Sequence, residues 1–361
     1  MMSGLGRFAA DLPAVSRYVT LGEGGTPLLA LDRLAARFGL AGLSAKVESA
    51  NPTGSYKDRV AAMSLSLALD RGNPGWIATS SGNAGLAFAA YGVRAGLPGF
   101  LCVVAGAPPG KLIPLVPYGI GLAAVTDVGD GGSGRSGAGL MELVRDAARR
   151  HELFLGITAN RYNPDGMRGI ETIGYELAEQ LPDTTQVYVP TGGGGLLASL
   201  ARGLAHRGVP AAVVACQPAG CAPIVRFLDG ELARPVIERC DTRVSALQLP
   251  EPPDGDLAVA AVIGSGGWGT SVSDEETLAA QRLLAATEGL FVEPASATGL
   301  AAVIRDVAAG RLGGTDHPVL VLTGAGWKDL DRFAAAAERI PEVGLGGVAE
   351  RVDRWAGEVR S

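Results

Sequence analysis

The stretch QVYVPTGGGGLLASLARGLA (residues 186 to 205) decides the fold class. It opens with a short apolar run that is typical of a strand buried on both faces. Four glycines follow, and then an Ala- and Leu-rich run with helical character (196 to 205). A strand, a glycine turn and a helix in this order form the building unit of an α/β protein.

The same alternation continues along most of the 361 residues. Helical runs such as GLAFAAYGVRAG (85 to 96) and GLMELVRDAARRHE (139 to 152) separate most of the other apolar runs. Buried strands separated by helices predict parallel sheets. The further predicted strands are LSAKVES (43 to 49), WIATSS (76 to 81), GFLCVVA (99 to 105), LAAVTDV (122 to 128), AAVVACQ (211 to 217) and PVLVLTG (318 to 324).

Two glycine-rich regions depart from this alternation. GDGGSGRSGAG (129 to 139) is typical of a flexible connector. Residues 229 to 271 are rich in Pro and Gly and predict an irregular segment. Within it, GSGGWGT (264 to 270) predicts a mobile loop near the cleft where we expect the ligand to bind.

Composition excludes several classes of protein. The net charge is -6 and basic residues are scattered, so we expect no nucleic-acid partner. No apolar run can span a bilayer, and the first residues lack a secretory signal, so we expect no membrane partner. Four cysteines and three histidines show no metal-ligand spacing. We therefore expect a reduced cytoplasmic protein without structural metal.

The stretch NPTGSYKDR (51 to 59) predicts a helix entry. Turn and capping residues (51 to 54) precede a periodic apolar run (60 to 69). This places Lys57 near a helix N-terminus, where the positive end of the helix dipole favours the free amine over the ammonium. Such an amine can form a Schiff base with an aldehyde. The alternative is a solvated lysine beside Asp58 and Arg59.

Three polar motifs follow predicted strands directly. SSGN follows WIAT, GGGG follows VYVPT, and TGAG follows VLVL. Because open α/β sheets bind ligands at the carboxyl ends of their strands, these motifs predict a shared ligand site. The glycine run between strand and helix favours an anion cradle, although a plain flexible loop is the alternative.

Motifs in fixed order along nearly the whole chain resemble threonine synthase and its relatives, the fold-type II pyridoxal-phosphate (PLP) enzymes. They are TLGEGGTPLL (20 to 29), NPTGSYKDR (51 to 59), TSSGNAG (79 to 85), PTGGGGLL (190 to 197), VSDEET (272 to 277), EGLFVEPASATGLAAV (288 to 303) and LTGAGWKD (322 to 329). The resemblance implies two doubly wound α/β domains with PLP in the cleft between them. Residues 1 to 49 plus 156 to 361 form the large domain, and residues 50 to 155 the small one. A homodimer is also expected.

The resemblance implies a role for each motif. Lys57 takes the cofactor aldehyde and later acts as the base at the substrate Cα. Asn83 faces the ring hydroxyl and Thr323 the ring nitrogen; their alternatives are a helix cap and an ordinary turn hydroxyl. The cofactor phosphate is assigned to Thr191, Gly192, Gly193, Gly194 and Gly195. The substrate is assigned to Ser80, Ser81, Gly82, Asn83, Ala84, Lys111 and Asn160.

The expected substrate side departs from threonine synthase. The family's phosphate-binding run, Asn-Ser-x-Asn-Pro-x-Arg, corresponds to ITANRYN (157 to 163). Asn163 occupies the arginine position, which removes bidentate phosphate recognition. Arg161 or Arg168 could substitute. The glycine loop resembles that of serine and threonine dehydratases, and Trp327 replaces a usual leucine.

We therefore expect a threonine synthase-like PLP enzyme that performs β- or γ-elimination or replacement on an amino acid. The alternatives are a true threonine synthase, a serine/threonine dehydratase, and a non-catalytic PLP-fold binding protein.

Overall fold

The computed structural model describes residues 4 to 80, 82 to 126 and 135 to 360, and in these ranges ten strands form two sheets. The strands are β1 (Leu28–Ala30), β2 (Ser44–Lys46), β3 (Trp76–Thr79), β4 (Gly99–Val104), β5 (Gly121–Val125), β6 (Phe154–Leu155), β7 (Gln186–Pro190), β8 (Ala212–Pro218), β9 (Gly269–Val272) and β10 (Pro318–Val321). One sheet has the order β1-β2-β10-β7-β8-β9 and the other the order β5-β4-β3-β6. Every neighbouring pair is parallel except β1–β2. The predicted α/β class is confirmed.

Helices connect these strands. They are α1 (Asp32–Phe38), α2 (Lys57–Asp70), α3 (Asn83–Ala95), α4 (Pro109–Leu112), α5 (Arg135–Arg150), α6 (Pro164–Met167), α7 (Glu171–Gln180), α8 (Gly195–His206), α9 (Pro223–Leu228), α10 (Gly255–Gly264), α11 (Asp274–Glu288), α12 (Pro294–Ala308), α13 (Ala334–Ala337) and α14 (Val348–Arg360). Within the described ranges, none has both the length and the apolar character to cross a membrane.

The central strand β7 shows why the apolar runs form this fold. Tyr188 packs into a core on one face of the six-stranded sheet, together with Leu300 of α12. Val187 and Val189 pack into a second core on the other face, together with Leu200 of α8. Side chains alternate between the faces of a strand, so an uninterrupted apolar run serves a sheet that is covered on both sides.

All seven predicted strands are present, and three short ones were not predicted. β1 has exposed residues at two of its three positions, β6 has two residues, and β9 contains no long apolar run. β9 begins within GSGGWGT, so residues 269 and 270 lie in a strand and the predicted loop is shorter. The segment from 229 to 271 also contains α10 and is not irregular throughout. The indole of Trp268 donates to Asp306 at 2.8 Å and holds the start of β9 in place.

The predicted connector from 129 to 139 lies only partly in the described residues. Residues 129 to 134 are outside them, and the chain is helical from Arg135 onward in α5. The flexible-connector prediction is therefore wrong for residues 135 to 139.

A disulfide joins Cys221 and Cys240, so the expectation of a fully reduced chain is wrong. The two cysteines are 19 residues apart, a spacing that matches no sequence motif. Their segments meet because the amide of Asp241 donates to the carbonyl of Gly220 at 2.7 Å. The free cysteines are Cys102 and Cys216.

The chain divides into two units, Met1–Lys328 and Asp329–Ser361. The first contains both sheets and every element up to α12. The second contains α13 and α14.

A buried network of charges fixes the first turn of α2. The guanidinium of Arg59 is fully buried and bonds to both oxygens of Glu48, at 2.7 and 2.8 Å. It also bonds to both oxygens of Glu176 in α7, at 2.7 and 2.8 Å. Lys46 of β2 adds a 2.6 Å bond to Glu176. Burial opposes the charge on Glu176, but Arg59 and Lys46 outweigh burial and lower the pKa of that carboxyl.

We expect Arg59→Met to lower the free energy of unfolding by about 3–5 kcal/mol, because it removes the cation that two buried carboxylates share and leaves Glu48 without a cationic partner. The matched control is Arg71→Met at the end of the same helix. Arg71 pairs with Asp165 on the surface, where the two side chains are 49% and 47% exposed. That variant should lose no more than about 1 kcal/mol. Urea unfolding measures both, and equal losses would contradict the role assigned to Arg59.

Candidate active site

Lys57 is the first residue of α2, as the sequence predicted. Its Nζ donates to the hydroxyl of Thr158 at 2.7 Å and lies 4.7 Å from the centre of the Tyr56 ring. Thr158 lies in the segment that follows β6, an edge strand of the four-stranded sheet. The amine is therefore held by a hydroxyl from a distant part of the chain.

The loop before Lys57 is tied to the end of β10. The amide of Tyr56 donates to the carbonyl of Thr323 at 3.1 Å, and the amide of Ala325 donates to the carbonyl of Gly54 at 2.9 Å. Within the loop, Asp58 accepts bonds from the amide of Thr53, at 2.6 Å, and from its hydroxyl. Burial raises the pKa of Asp58 to about 6, although the bonds from Thr53 act in the opposite direction.

Thr323 is part of a buried polar cluster. Its hydroxyl donates to Oε1 of Glu293 at 3.2 Å and lies 2.8 Å from the hydroxyl of Ser296. Glu293 immediately precedes α12, and Ser296 lies in the first turn of that helix. Thr323 is thus bonded to the start of α12 and is not an isolated turn hydroxyl.

Asn83 meets the same carboxylate. Its Nδ2 donates to Glu293 at 3.0 and 3.3 Å, while its Oδ1 accepts a 2.8 Å bond from Nζ of Lys328. Asn83 begins α3, but the capping position is Gly82 and no side chain caps the helix. The alternative of a capping asparagine is therefore wrong. Glu293 brings Asn83 and Thr323 together, although they follow strands of different sheets.

Lys328 is a second lysine at this place. Burial lowers the pKa of its amine to about 8, while the negative charges of Glu293 and Asp58 act in the opposite direction. Its side chain lies under the exposed indole of Trp327, whose centre is 5.5 Å from Nζ. A lysine with this pKa can exchange protons near neutral pH.

The glycine loop joins β7 to α8 as predicted. Thr191 is buried, and its hydroxyl bonds to the carbonyl of Val189 at 2.7 Å. Gly194 has a φ of +88°, and a Cβ there would lie 2.5 Å from the carbonyl oxygen of Asp254. The amides of residues 192 to 194 donate no hydrogen bond within the described part of the chain. Consecutive free amides at the start of a 12-residue helix fit an anion such as phosphate.

Asn160 lies beside this loop, but its polar atoms are already engaged. Its amide and its Nδ2 donate to Oδ2 of Asp254 at 2.7 and 3.1 Å. Its Oδ1 accepts a 2.7 Å bond from Arg202 of α8. The structure therefore gives Asn160 a part in fixing Asp254 against the start of α8.

The loop between β3 and α3 holds the other residues expected to bind substrate. The hydroxyl of Ser80 accepts from the amide of Gly82 at 3.1 Å, and Ala84 lies in the first turn of α3. Ser81 lies outside the described residues. Lys111 of α4 instead donates to the hydroxyl of Ser245 at 2.9 Å.

The residues considered for a substrate phosphate have other partners. Asn163 is buried, caps α6 through the amide of Gly166 at 3.1 Å, and donates to Ser64 at 2.8 Å. Arg168 bonds to Glu171 at 3.2 Å and to the carbonyl of Asp11 at 2.6 Å. Arg161 is exposed and lies over the ring of Tyr162 at 5.7 Å.

Sequence reasoning did not single out Thr158, Glu293 or Lys328. All three lie in stretches that resemble the family: Thr158 in ITANRYN, Glu293 in EGLFVEPASATGLAAV and Lys328 in LTGAGWKD. Their contacts could not be predicted, because Thr158 and Lys328 bond to residues 101 and 245 positions away in sequence.

Comparisons with known proteins agree with this geometry. Residues 19 to 324 match the family described as pyridoxal-phosphate dependent enzyme. The threonine synthase of Methanosarcina acetivorans is 33% identical over 335 residues, covering 90% of this chain and 80% of the relative. That of Halalkalibacterium halodurans is 34% identical over 333 residues, with 90% and 88% covered. Threonine deaminase isoform 2 from Solanum lycopersicum has a similar fold, with a TM-score of 0.72 at 18% identity and coverage of 98% and 90%. The chain belongs to the pyridoxal-phosphate dependent enzymes and is a threonine synthase-like, PLP-dependent member of that family.

Proposed function

We propose that this enzyme eliminates or replaces a β- or γ-substituent of an unphosphorylated amino acid, with Lys57 as the cofactor-bearing and proton-transferring residue. The observation that carries the proposal is the placement of Lys57. Its amine lies at a helix start, held by the hydroxyl of Thr158 and by a loop bonded to the end of β10.

The polar groups of the site match those that PLP presents. Lys57 would hold the aldehyde, and the glycine amides from Gly192 to Gly195 would hold the phosphate. Thr191 would support this loop, because its amide donates to the carbonyl of Cys216 at 2.8 Å and its hydroxyl to that of Val189 at 2.7 Å. Asn83 would face the ring hydroxyl and Thr323 the ring nitrogen, and each would exchange its bond to Glu293 for one to the cofactor. When bound, PLP supplies an electron sink for a carbanion at the substrate Cα.

The residues of the chain have separate tasks toward the substrate. The amides of Gly82, Asn83 and Ala84 lie at the start of α3, which suits the α-carboxylate of an amino acid. The hydroxyl of Ser80 lies in the loop just before them. The amino group of Lys57 would take the proton from the substrate Cα and later return it. The hydroxyl of Thr158 accepts a hydrogen bond from that amine and would thereby hold the amine in one orientation.

The state of Asn163 supports an unphosphorylated substrate. Its Oδ1 caps α6 and its Nδ2 donates to Ser64 of α2, so it offers a phosphate no charge and no bidentate pair of donors. Arg168 is held by Glu171. Loss of the bidentate arginine removes the strongest phosphate contact that a side chain can provide.

A true threonine synthase is the second candidate, and the 33–34% identity to two curated threonine synthases favours it. In that case Lys111 and Arg161 would have to bind the substrate phosphate. Both side chains are near the surface, and the 2.9 Å bond from Lys111 to Ser245 would have to break.

The proposal extends to the domains of the chain, its oligomeric state and its location. We keep residues 1 to 49 plus 156 to 361 as the large domain and residues 50 to 155 as the small one. All strands of the four-stranded sheet fall within the second range, which supports this division. A cytoplasmic homodimer is part of the same proposal.

We expect Lys57→Ala to abolish both the visible absorption of lysine-bound PLP and turnover, because the variant lacks the amine proposed to bond to the cofactor aldehyde. The chain has four lysines: Lys46, Lys57, Lys111 and Lys328. Lys111→Ala is the control and should retain the absorption. A wild-type protein that cannot be loaded with PLP would refute the proposed role of Lys57.

A panel of amino acids tests the substrate. We expect kcat/KM for O-phosphohomoserine to be lower by roughly 10- to 100-fold than for the preferred unphosphorylated amino acid, since the charged phosphate contact is missing. Spectral changes of the bound cofactor and phosphate release are the measurements. Efficient release of phosphate with formation of threonine would establish the second candidate. Ammonia and 2-oxobutanoate from threonine would indicate a dehydratase.

We expect the amine of Lys328 to titrate near pH 8, because burial disfavours its charged form. Below that pH it is charged and donates to Asn83; above it the proton is lost. Lysine Cε chemical shifts can follow this, since the chain gives only four such signals. Lys328→Met assigns the signal by removing it. A midpoint near the ordinary lysine value would contradict the prediction.

A further inference from the structure

The side-chain amide of Asn83 lies between a cation and an anion. Its Oδ1 accepts a 2.8 Å hydrogen bond from Nζ of Lys328, and its Nδ2 donates to the carboxylate of Glu293 at 3.0 and 3.3 Å. An ammonium has only donors, and a carboxylate has only acceptors. Both neighbours therefore select the same orientation of the amide, in which the oxygen points toward Lys328 and the nitrogen toward Glu293.

The loop before Lys57 leaves room for the side chain of Lys328. The Cε atom of Lys328 passes over Gly54, where an added Cβ would lie 3.0 Å away, inside ordinary van der Waals distance. The amide of Ala325 donates to the carbonyl of Gly54 at 2.9 Å, and the amide of Lys328 donates to the carbonyl of Ala325 at 3.2 Å. One hydrogen-bonded turn thus connects the loop that carries Lys57 with the lysine that holds Asn83.

The two neighbours of Asn83 differ in what they would do once PLP is bound. The ring hydroxyl of PLP would replace Glu293 as the partner of Nδ2, whereas Lys328 bonds to the opposite end of the amide and would stay. Lys328 would then be the group that distinguishes the two ends of the amide. We propose that Lys328 is a positioning residue, which holds Asn83 with a donor, and not an acceptor, toward the ring oxygen of the cofactor.

This role depends on the proposed function, because it requires PLP with its ring hydroxyl at Asn83. It goes further in assigning the charge of the ring oxygen. A hydrogen bond donated to the ionised form of a group favours that form. Nδ2 toward the ring oxygen therefore favours the anion, whereas Oδ1 toward it would favour the neutral hydroxyl, which can donate to Oδ1. The positive charge of Lys328 acts in the same direction as Nδ2, and the negative charge of Glu293 opposes it.

The absorption of lysine-bound PLP reports the charge of the ring oxygen, since the anion absorbs at a longer wavelength than the neutral hydroxyl. We expect Lys328→Met to move absorption from the long-wavelength band to the short-wavelength band. The same variant should raise the PLP dissociation constant roughly tenfold, because the amide loses its charged partner. Lys328→Arg keeps a cationic donor and should restore most of the wild-type spectrum. If Lys328→Met does not fold, Lys328→Gln serves the same test, because its amide can accept as well as donate.

Arg94→Met is the matched control. Arg94 is an exposed cation at the other end of α3 and donates to the carbonyl of Thr20 at 3.1 Å. Its removal changes the net charge as Lys328→Met does, but it should leave the spectrum and the PLP dissociation constant unchanged. A loaded Lys328→Met protein with the wild-type spectrum would overturn the positioning role and leave the proposed function of Lys57 intact.

Asparagine side-chain signals separate the failure of this role from that of the proposed function, because they need no cofactor. The chain has five asparagines, so protein labelled with ¹⁵N-asparagine gives five side-chain amide groups, and Asn83→Asp identifies one of them by its loss. We expect Lys328→Met, but not Arg94→Met, to shift this signal in the cofactor-free protein. An unshifted signal would overturn the contact between Lys328 and Asn83. A shifted signal in a protein that cannot be loaded with PLP would refute the proposed function, and this role with it.

Discussion

The buried guanidinium of Arg59 is the constraint on which the site depends. It stands two residues after Lys57 and is bonded by Glu48 on one side and Glu176 on the other. A charge buried this deeply is stable only with all its partners in place. Any rotation or shift of the first turn of α2 would break several of these bonds at once. The position of the Lys57 amine is therefore set by an ionic network that itself takes no part in the chemistry.

A second buried charge connects the two sheets at the site. Glu293 accepts bonds from Asn83, which follows a strand of the four-stranded sheet, and from Thr323, which follows one of the six-stranded sheet. Lys328 completes the arrangement by fixing the amide of Asn83 from its other end. The same low-polarity surroundings that make these bonds strong also lower the pKa of Lys328 and raise that of Asp58.

The features that could be predicted from the sequence are those that depend on neighbouring residues. Apolar runs predicted seven of the ten strands, and glycines between β7 and α8 predicted the loop, because both features are visible within a few residues. Contacts over long separations were not visible: Lys57 with Thr158, Asn83 with Glu293, and Cys221 with Cys240. The three missed strands are short or lie at sheet edges, where burial is too small to produce an apolar run. The position of Lys57 was predicted, but the groups that hold it were not.

The glycine loop proposed to bind the cofactor and the segment around Asn163 proposed to face the substrate are under different physical constraints. The glycine loop is required by the fold as well as by any anion, since a Cβ at Gly194 would strike Asp254. Asn163, on the substrate side, does more than lack a charge. It supplies the cap of α6 and a bond to Ser64, so an arginine there would remove about 1 kcal/mol of capping as well as adding a cation. Phosphate recognition by an arginine at position 163 would thus need compensating changes in α6. This asymmetry is why the cofactor follows from the fold while the substrate depends on a few side chains.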